Sequence, residues 1–273
     1  MSLLSEAKRI IRRYRLFPKK RWGQHFLVEL SVLESLTEYA DLKRDDIVLE
    51  IGAGLGFLTQ VLAMKCGLVC AVEIDPKLVK ILQLRLRDLE NVKIIEGDVL
   101  RVSLPDFNKI VSVPPYGISS ELIQWLIGKN FASAVLVFQR EFANKLSAPI
   151  GSDAYSWLTV IAYYHFNVEI LDDVPRWMFY PPPDVDSVIV RLTPKEPPPF
   201  PLGDKILFKE LLQALFTQRN RKVRNALRAF IEKKSIALSE EVIERLPFQN
   251  RRVRELAPED FGVLANVLSK GFL

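Results

Sequence analysis

From Ile47 to Gln139 the chain repeats one pattern: a short apolar, β-branched run, then a stretch with apolar residues three and four positions apart. The runs are IVLEI (Ile47–Ile51), LVCAVEI (Leu68–Ile74), VKIIEG (Val92–Gly97), KIVSV (Lys109–Val113) and AVLVFQ (Ala134–Gln139). The stretch PKLVKILQLRLRDL (Pro76–Leu89) places Leu78, Ile81, Leu82 and Leu86 on one helical face. Strands this apolar, separated by helices, predict a parallel sheet covered on both faces. Two later runs, HFNVEIL (His165–Leu171) and DSVIVRL (Asp186–Leu192), alternate less regularly and are expected as an antiparallel pair at one sheet edge. Beyond residue 203 the period is helical only, in ILFKELLQALFTQ (Ile206–Gln218), KVRNALRAFIEKK (Lys222–Lys234) and PEDFGVLANVLSKGF (Pro258–Phe272).

Between the two patterns lies PKEPPPFPLG (Pro194–Gly203), with five prolines in ten residues. Such a segment favours an extended, semi-rigid connector. The expected organisation is therefore an α/β domain over residues 1–193, a linker over 194–203 and a small all-helical domain over 204–273. At 273 residues the chain is long enough for this and for a sizeable core. No apolar run reaches membrane-spanning length and no signal-peptide layout is present, so a cytoplasmic protein with no membrane contact is expected. Cys66 and Cys70 read as buried, reduced thiols rather than metal ligands, because no histidine pair accompanies them. No metal site is expected, and a monomer is the default. Tyr155, Trp157 and Trp177 read as core or domain-interface residues.

Charge changes the picture. The net charge is +5, and the excess is clustered. KRIIRRYRLFPKKR (Lys8–Arg21) carries eight basic residues and no acid; RNRKVRNALR (Arg219–Arg228) carries five; NRRVR (Asn250–Arg254) adds three. Clusters of this kind suit a polyanion, whose counterions are released on binding. Arg219, Arg221, Lys222 and Arg224, with the Lys8–Arg21 arm, are the candidate phosphate contacts.

The candidate cofactor site opens at VLEIGAGLGFLTQVL (Val48–Leu62), a strand, a glycine-rich turn and a helix start. Gly52 and Gly54 let a ligand approach the backbone where no Cβ intrudes. Glu73, at the end of the next strand, is placed to accept from both hydroxyls of a ribose. Asp98, just past the strand after that, is placed to accept from an exocyclic amino group of an adenine. The turn departs from the dinucleotide pattern, because Phe57 stands where its third glycine belongs. No His, Lys and Tyr set suited to hydride chemistry accompanies it, so a nicotinamide-dependent oxidoreductase is disfavoured. An adenosine without a pyrophosphate fits best, as in S-adenosylmethionine.

These segments occur in one order with several others: KKRWGQHFL (Lys19–Leu27), EIDP (Glu73–Pro76), EGDVL (Glu96–Leu100), VPPYGISS (Val113–Ser120), FQREFANKL (Phe138–Leu146), FYPPPDVDSVIVRL (Phe179–Leu192) and FTQRNRKVRNAL (Phe216–Leu227). Together they resemble the small-subunit rRNA adenine N6,N6-dimethyltransferases, the KsgA family, from Lys19 to about Leu227. The resemblance implies a class I S-adenosylmethionine-dependent methyltransferase fold, Rossmann-like, with a mainly parallel seven-stranded sheet and a helical C-terminal domain. It implies dimethylation of N6 on adjacent adenines of small-subunit rRNA, with that rRNA or the pre-small ribosomal subunit as partner. It places His25 and Leu27 over the cofactor; the family often has Asn at the first of these. It also makes Phe179 a second aromatic near the target base.

The same resemblance gives meaning to the corner VPPY. An Asn/Asp-Pro-Pro-Tyr corner offers a side-chain acceptor, a backbone carbonyl held by proline and an aromatic face for an unpaired base. Here Pro114 supplies the carbonyl and Tyr116 the face. Val113 stands at the cofactor-side position where the family has Asn, so the side-chain acceptor is missing; Ser112 or a water is the expected substitute. The alternative reading is an assembly factor that binds S-adenosylmethionine and rRNA with weak or no methyl transfer.

Overall fold

The computed structural model describes residues 2–18, 23–234 and 246–270. Two compact units divide the chain: residues up to Ala143 with Asn167–Pro194, and Asn144–Phe166 with the residues from Lys195 on.

The first unit is built on a seven-stranded sheet. Its strands are β2 (Ile47–Ile51), β3 (Leu68–Glu73), β4 (Val92–Glu96), β5 (Lys109–Ser112), β6 (Ser133–Gln139), β7 (Phe166–Val174) and β9 (Ser187–Pro194), in the order β4-β3-β2-β5-β6-β9-β7. β2 pairs in parallel with β3 and β5, β3 with β4, and β5 with β6. β9 runs antiparallel to β6, and β7 lies beside it at the edge. Val48, Leu49, Val69, Cys70, Ile110, Val111 and Val135 are buried, which is what continuous apolar runs require in a sheet covered on both faces.

Helices α2 (Leu30–Tyr39), α3 (Phe57–Ala63), α4 (Pro76–Arg85) and α5 (Ser119–Leu126) connect the strands, and α6 (Arg140–Leu146) follows β6. α4 starts cleanly because Asp75 caps it, accepting from Lys77 N at 3.1 Å, with Pro76 in the first turn. The basic Lys8–Arg21 arm lies in part in helix α1 (Leu3–Arg13), whose Ala7 and Ile10 are buried and whose Lys8, Arg9, Arg12 and Arg13 are exposed. Lys19, Lys20 and Arg21 of that arm lie outside the described residues.

A separate two-stranded sheet joins β1 (Phe26–Leu27) to β8 (Phe179–Tyr180), antiparallel, with Phe26 opposite Tyr180 and Leu27 opposite Phe179. Each strand is two residues long, too short for any period to announce it.

In the second unit, α8 (Lys205–Phe216), α9 (Val223–Lys234) and α10 (Pro258–Lys270) occupy the three helical stretches expected after the linker. They are joined by α7 (Trp157–His165), which precedes β7 in sequence. The units part at Pro194, close to the expected boundary at residue 193, but Asn144–Phe166, expected in the first domain, belongs to the second unit. α7 buries Leu158, Val160, Ile161, Ala162 and Tyr164, nearly all round its circumference, and a helix with so little polar surface needs other helices about it. Tyr155, just before α7, is buried, and its hydroxyl donates to Leu256 O at 2.8 Å. Trp177 corrects the reading of it as a core or interface residue, being 66% exposed on a short turn between β7 and β8.

Candidate active site

The glycine turn after β2 is held by backbone and by one carboxylate. Gly52 N and Ala53 N both donate to Val72 O of β3, at 2.8 and 3.1 Å. Gly52 and Gly54 have φ of +77° and +57°, a region that L side chains rarely adopt. A Cβ on Gly54 would lie 3.0 Å from the Phe26 ring, and one on Gly52 would lie 3.1 Å from Pro115. The turn is therefore pressed between β1 and the proline corner, and glycine is required by space as well as by φ.

Glu73, at the end of β3, is 5% exposed. One of its oxygens accepts from Gly54 N at 2.8 Å and the other from Asp75 N at 2.9 Å. Burial pushes its carboxyl up from the usual range, and those two N–H donors pull the other way. Each oxygen keeps a lone pair for a further donor, as two ribose hydroxyls would be. Asp98 follows β4, accepts from Leu100 N at 3.0 Å and stays partly exposed.

A cavity of about 210 Å³ collects these residues: His25, Gly52, Gly54, Glu73, Asp98, Val113, Pro114 and Tyr116 all line it. A smaller one of about 40 Å³ shares His25, Gly52, Gly54 and Val113 with it and adds Leu27 and Glu50. The aromatic wall is braced. The Tyr116 hydroxyl bonds Ser187 Oγ at 2.7 Å, and burial pushes its phenol up to about 12. It stays protonated at neutral pH, so its work is to hold a ring in place.

Phe179 does not line the larger cavity. It is 2% exposed in the core and meets the Tyr116 ring edge-on, centroids 6.5 Å apart and planes at 70°. Its place is behind the aromatic wall. Ser112 is also occupied: its Oγ donates to Ile51 O at 2.6 Å and accepts from Ile51 N at 3.1 Å. The expected substitution of Ser112 for the missing amide is thereby overturned, since strand-to-strand bonding uses the hydroxyl.

The family model described as ribosomal RNA adenine dimethylase matches residues 17–269. The chain belongs to that family. A probable ribosomal RNA small subunit methyltransferase A of Methanosarcina acetivorans is 42% identical over 249 residues, covering 90% of this chain and 92% of that protein. One of the same name in Pyrococcus furiosus is 37% identical over 254 residues, covering 91% of each chain. Among solved structures, a dimethyladenosine transferase of Plasmodium falciparum superposes with a TM-score of 0.78 at 29% identity, over 91% of this chain and 99% of that one. The 23S rRNA methyltransferase ErmE does so with a TM-score of 0.67 at 29% identity, over 89% and 99%.

The adenine dimethylase family is S-adenosylmethionine-dependent, and the cavity fits that cofactor in three ways. Gly52 and Gly54 leave room for close approach, Glu73 offers carboxylate lone pairs, and Glu50 offers something the sequence reading overlooked. Glu50, at the penultimate position of β2, is 2% exposed, and its Oε2 has no hydrogen-bond partner among the described residues. Burial pushes its carboxyl up to about 8, and the nearby Glu73 charge adds to the rise. A buried carboxyl with one oxygen left unpartnered on a ligand cavity is the counterpart of a cationic ligand. The available signal was an acid inside an otherwise apolar strand, immediately before the glycines.

In the second unit the structure brings two basic runs together. Val223 N donates to Arg251 O at 2.9 Å, Val253 N to Arg221 O at 3.1 Å, and Lys222 bridges Arg252. Arg221, Lys222 and Arg224 are exposed. Arg219 is not equivalent to them: its guanidinium donates to Asp153 O and Ser152 O, both at 2.7 Å, and so ties down the segment before α7. No group of acidic, histidine and cysteine residues suited to a metal occurs among the described residues, and none of their helices is long and apolar enough to cross a membrane.

Proposed function

We propose that this protein transfers methyl groups from S-adenosylmethionine to N6 of two adjacent adenines in small-subunit rRNA, giving N6,N6-dimethyladenine, in the cytoplasm. The observation that carries the reading is one cavity walled on one side by Gly52, Gly54, Glu73 and Asp98 and on the other by Pro114 and Tyr116. The names of the relatives support small-subunit rRNA as the substrate.

The cofactor supplies an electrophilic methyl group on a sulfonium. Glu73 binds the ribose and Asp98 the adenine amino group. His25, Leu27 and Val113 close the methionine side, where Glu50 offers its carboxylate. Tyr116 receives the flipped target base on its face. The N6 lone pair is delocalised into the ring, so N6 attacks poorly until its amino protons are held by fixed acceptors. Bonds to those protons favour the pyramidal nitrogen of the transition state. The Pro114 carbonyl is one such acceptor. In transfer the N6 electron pair would form the new bond to carbon as the carbon–sulfur bond breaks with its pair going to sulfur, and the surplus amino proton would leave to water. No strong base is needed. Phe179 positions Tyr116 from behind.

The test is mass spectrometry of rRNA nucleosides after incubation of small-subunit precursor with protein and cofactor. Dimethyladenosine, lost in Tyr116→Ala, is expected. A second reading is favoured by Val113: one missing acceptor costs about 1–3 kcal/mol, on the order of 5- to 150-fold in rate. An assembly factor with vestigial transfer predicts precursor binding without any methylated adenosine.

A further inference from the structure

With Val113 unable to accept a hydrogen bond and Ser112 bound to Ile51, another group must hold the second amino proton if transfer is to be fast. His25 lines the cavity together with Val113, Pro114 and Tyr116. Its Nδ1 lies 2.8 Å from Pro181 O, just after β8. A carbonyl only accepts, so Nδ1 carries the hydrogen of that bond. In the neutral ring Nε2 is then a bare lone pair in the ring plane.

The orientation of the ring matters as much. Its centroid is 6.1 Å from that of Tyr116, with the planes 23° apart. Direct face-to-face contact would need much less than what is seen. The separation therefore belongs to an offset pair, within the range of about 4.5–7 Å such pairs show. An adenine lying on the face of Tyr116 toward His25 would then have the near-parallel imidazole beside it. That is where an acceptor for an amino proton has to be.

We infer that His25 Nε2 accepts a hydrogen bond from N6 of the target adenine and takes the place of the side-chain amide that Val113 lacks. The inference rests on adenine being the methyl acceptor and adds no covalent step. It gives His25 a substrate contact beyond its place beside the cofactor. The bond to Pro181 fixes the tautomer, so β8, far along the chain from β1, determines what the histidine can do.

The chain has two histidines, which makes the imidazole nitrogens readable by 15N NMR. Protein loaded with S-adenosylhomocysteine, to block the cofactor site, is titrated with adenosine and separately with purine riboside, which lacks the 6-amino group. Adenosine is expected to move the His25 Nε2 resonance in the direction of an accepted hydrogen bond, and purine riboside to leave it in place. Equal movement with both, or movement with neither, overturns the inference. This readout does not need turnover. A chain that never methylates rRNA yet shows the adenosine-specific shift would sink the proposed function and leave the His25 contact standing.

A rate cycle then measures the exchange of roles. His25→Phe keeps a ring beside Tyr116 and removes both nitrogens. In single turnover at saturating cofactor it should slow transfer about 5- to 150-fold in the native background, and at most a few-fold when Val113→Asn is also present. Equal losses in both backgrounds mean that His25 acts on fold or cofactor alone and refute the substitution.

Discussion

At the residue scale, two buried acids on adjacent strands, Glu73 at the end of β3 and Glu50 within β2, line the two neighbouring cavities. Glu73 has both oxygens engaged by backbone N–H groups, so it shapes the glycine turn as well as offering lone pairs. Glu73→Gln preserves volume and removes charge and one acceptor, so cofactor affinity should fall by about 1–3 kcal/mol, measured by calorimetry. Unchanged affinity would remove Glu73 from the site. Glu50 is different, because its raised value of about 8 has a sign that can be checked. Its carboxyl is protonated in the fold and ionised in the unfolded chain between the ordinary value of 4.5 and about 8. In that window the native state holds the extra proton, so the cofactor-free protein loses stability as pH rises. Below 4.5 both states are protonated, and above about 8 both are ionised, so the loss begins and ends there. Glu50→Gln should flatten the fall in melting temperature between pH 5 and 8. In the native protein, cationic cofactor should drive Glu50 to ionise. Calorimetry at pH 7 in buffers of different ionisation enthalpy should then show proton release on binding, absent in Glu50→Gln.

At the element scale, the pocket depends on strands being set at fixed heights. Lys109 at the start of β5 is buried, its Nζ 3.1 Å from Asp46 Oδ2 and donating to Ala40 O at 2.9 Å. Asp46 accepts further from Lys43 N and the Asn108 amide, both at 2.7 Å. Burial pushes the Asp46 carboxyl up, but the Lys43 N–H, the Asn108 amide and Lys109 outweigh it and hold the group below its usual value. This network joins the loop before β2 to the start of β5, whose far end is the Val113–Tyr116 corner. Asp46→Ala strands a buried ammonium, and chemical denaturation should show a loss of about 3–5 kcal/mol. A loss under 1 kcal/mol would mean that water replaces the carboxylate. Elements of this kind separate what was legible in the sequence from what was not. β2 through β6 could be read because each is a short apolar, β-branched run bounded by turn residues. β1 and β8 could not, because two residues carry no period; yet they hold Leu27 opposite Phe179 and bring Pro181 to His25. The positions of Glu73 and Asp98 beside the cavity were legible from strand ends. Glu50 was hidden inside a strand, and the fates of Ser112 and Phe179 depended on neighbours distant in sequence.

At the scale of the whole molecule, part of the basic excess is tied into the fold and part stays exposed. Sequence shows only that Arg219, Arg221, Lys222 and Arg224 fall in one run. The fold separates them, because a guanidinium that closes on two carbonyls has little left for a phosphate. Arg219→Ala should therefore lower the melting temperature of the protein, through the freed Ser152 and Asp153 carbonyls. Arg221, Lys222 and Arg224 are exposed, and backbone pairing with the Arg251–Val253 segment fixes the stretch that carries them. A phosphate contact made by one of them releases about 0.9 counterion on a duplex and about 0.7 on a single strand. Changing all three to Gln should leave the melting temperature nearly unchanged. It should lower the slope of log affinity against log salt, for a small-subunit rRNA fragment, by about 2. Affinity should fall for unrelated RNA as well, since phosphates carry no sequence. A triple variant with unaltered slope would assign these charges to solvation alone and move the RNA contact elsewhere, with the exposed face of α1, bearing Lys8, Arg9, Arg12 and Arg13, as the next surface to neutralise.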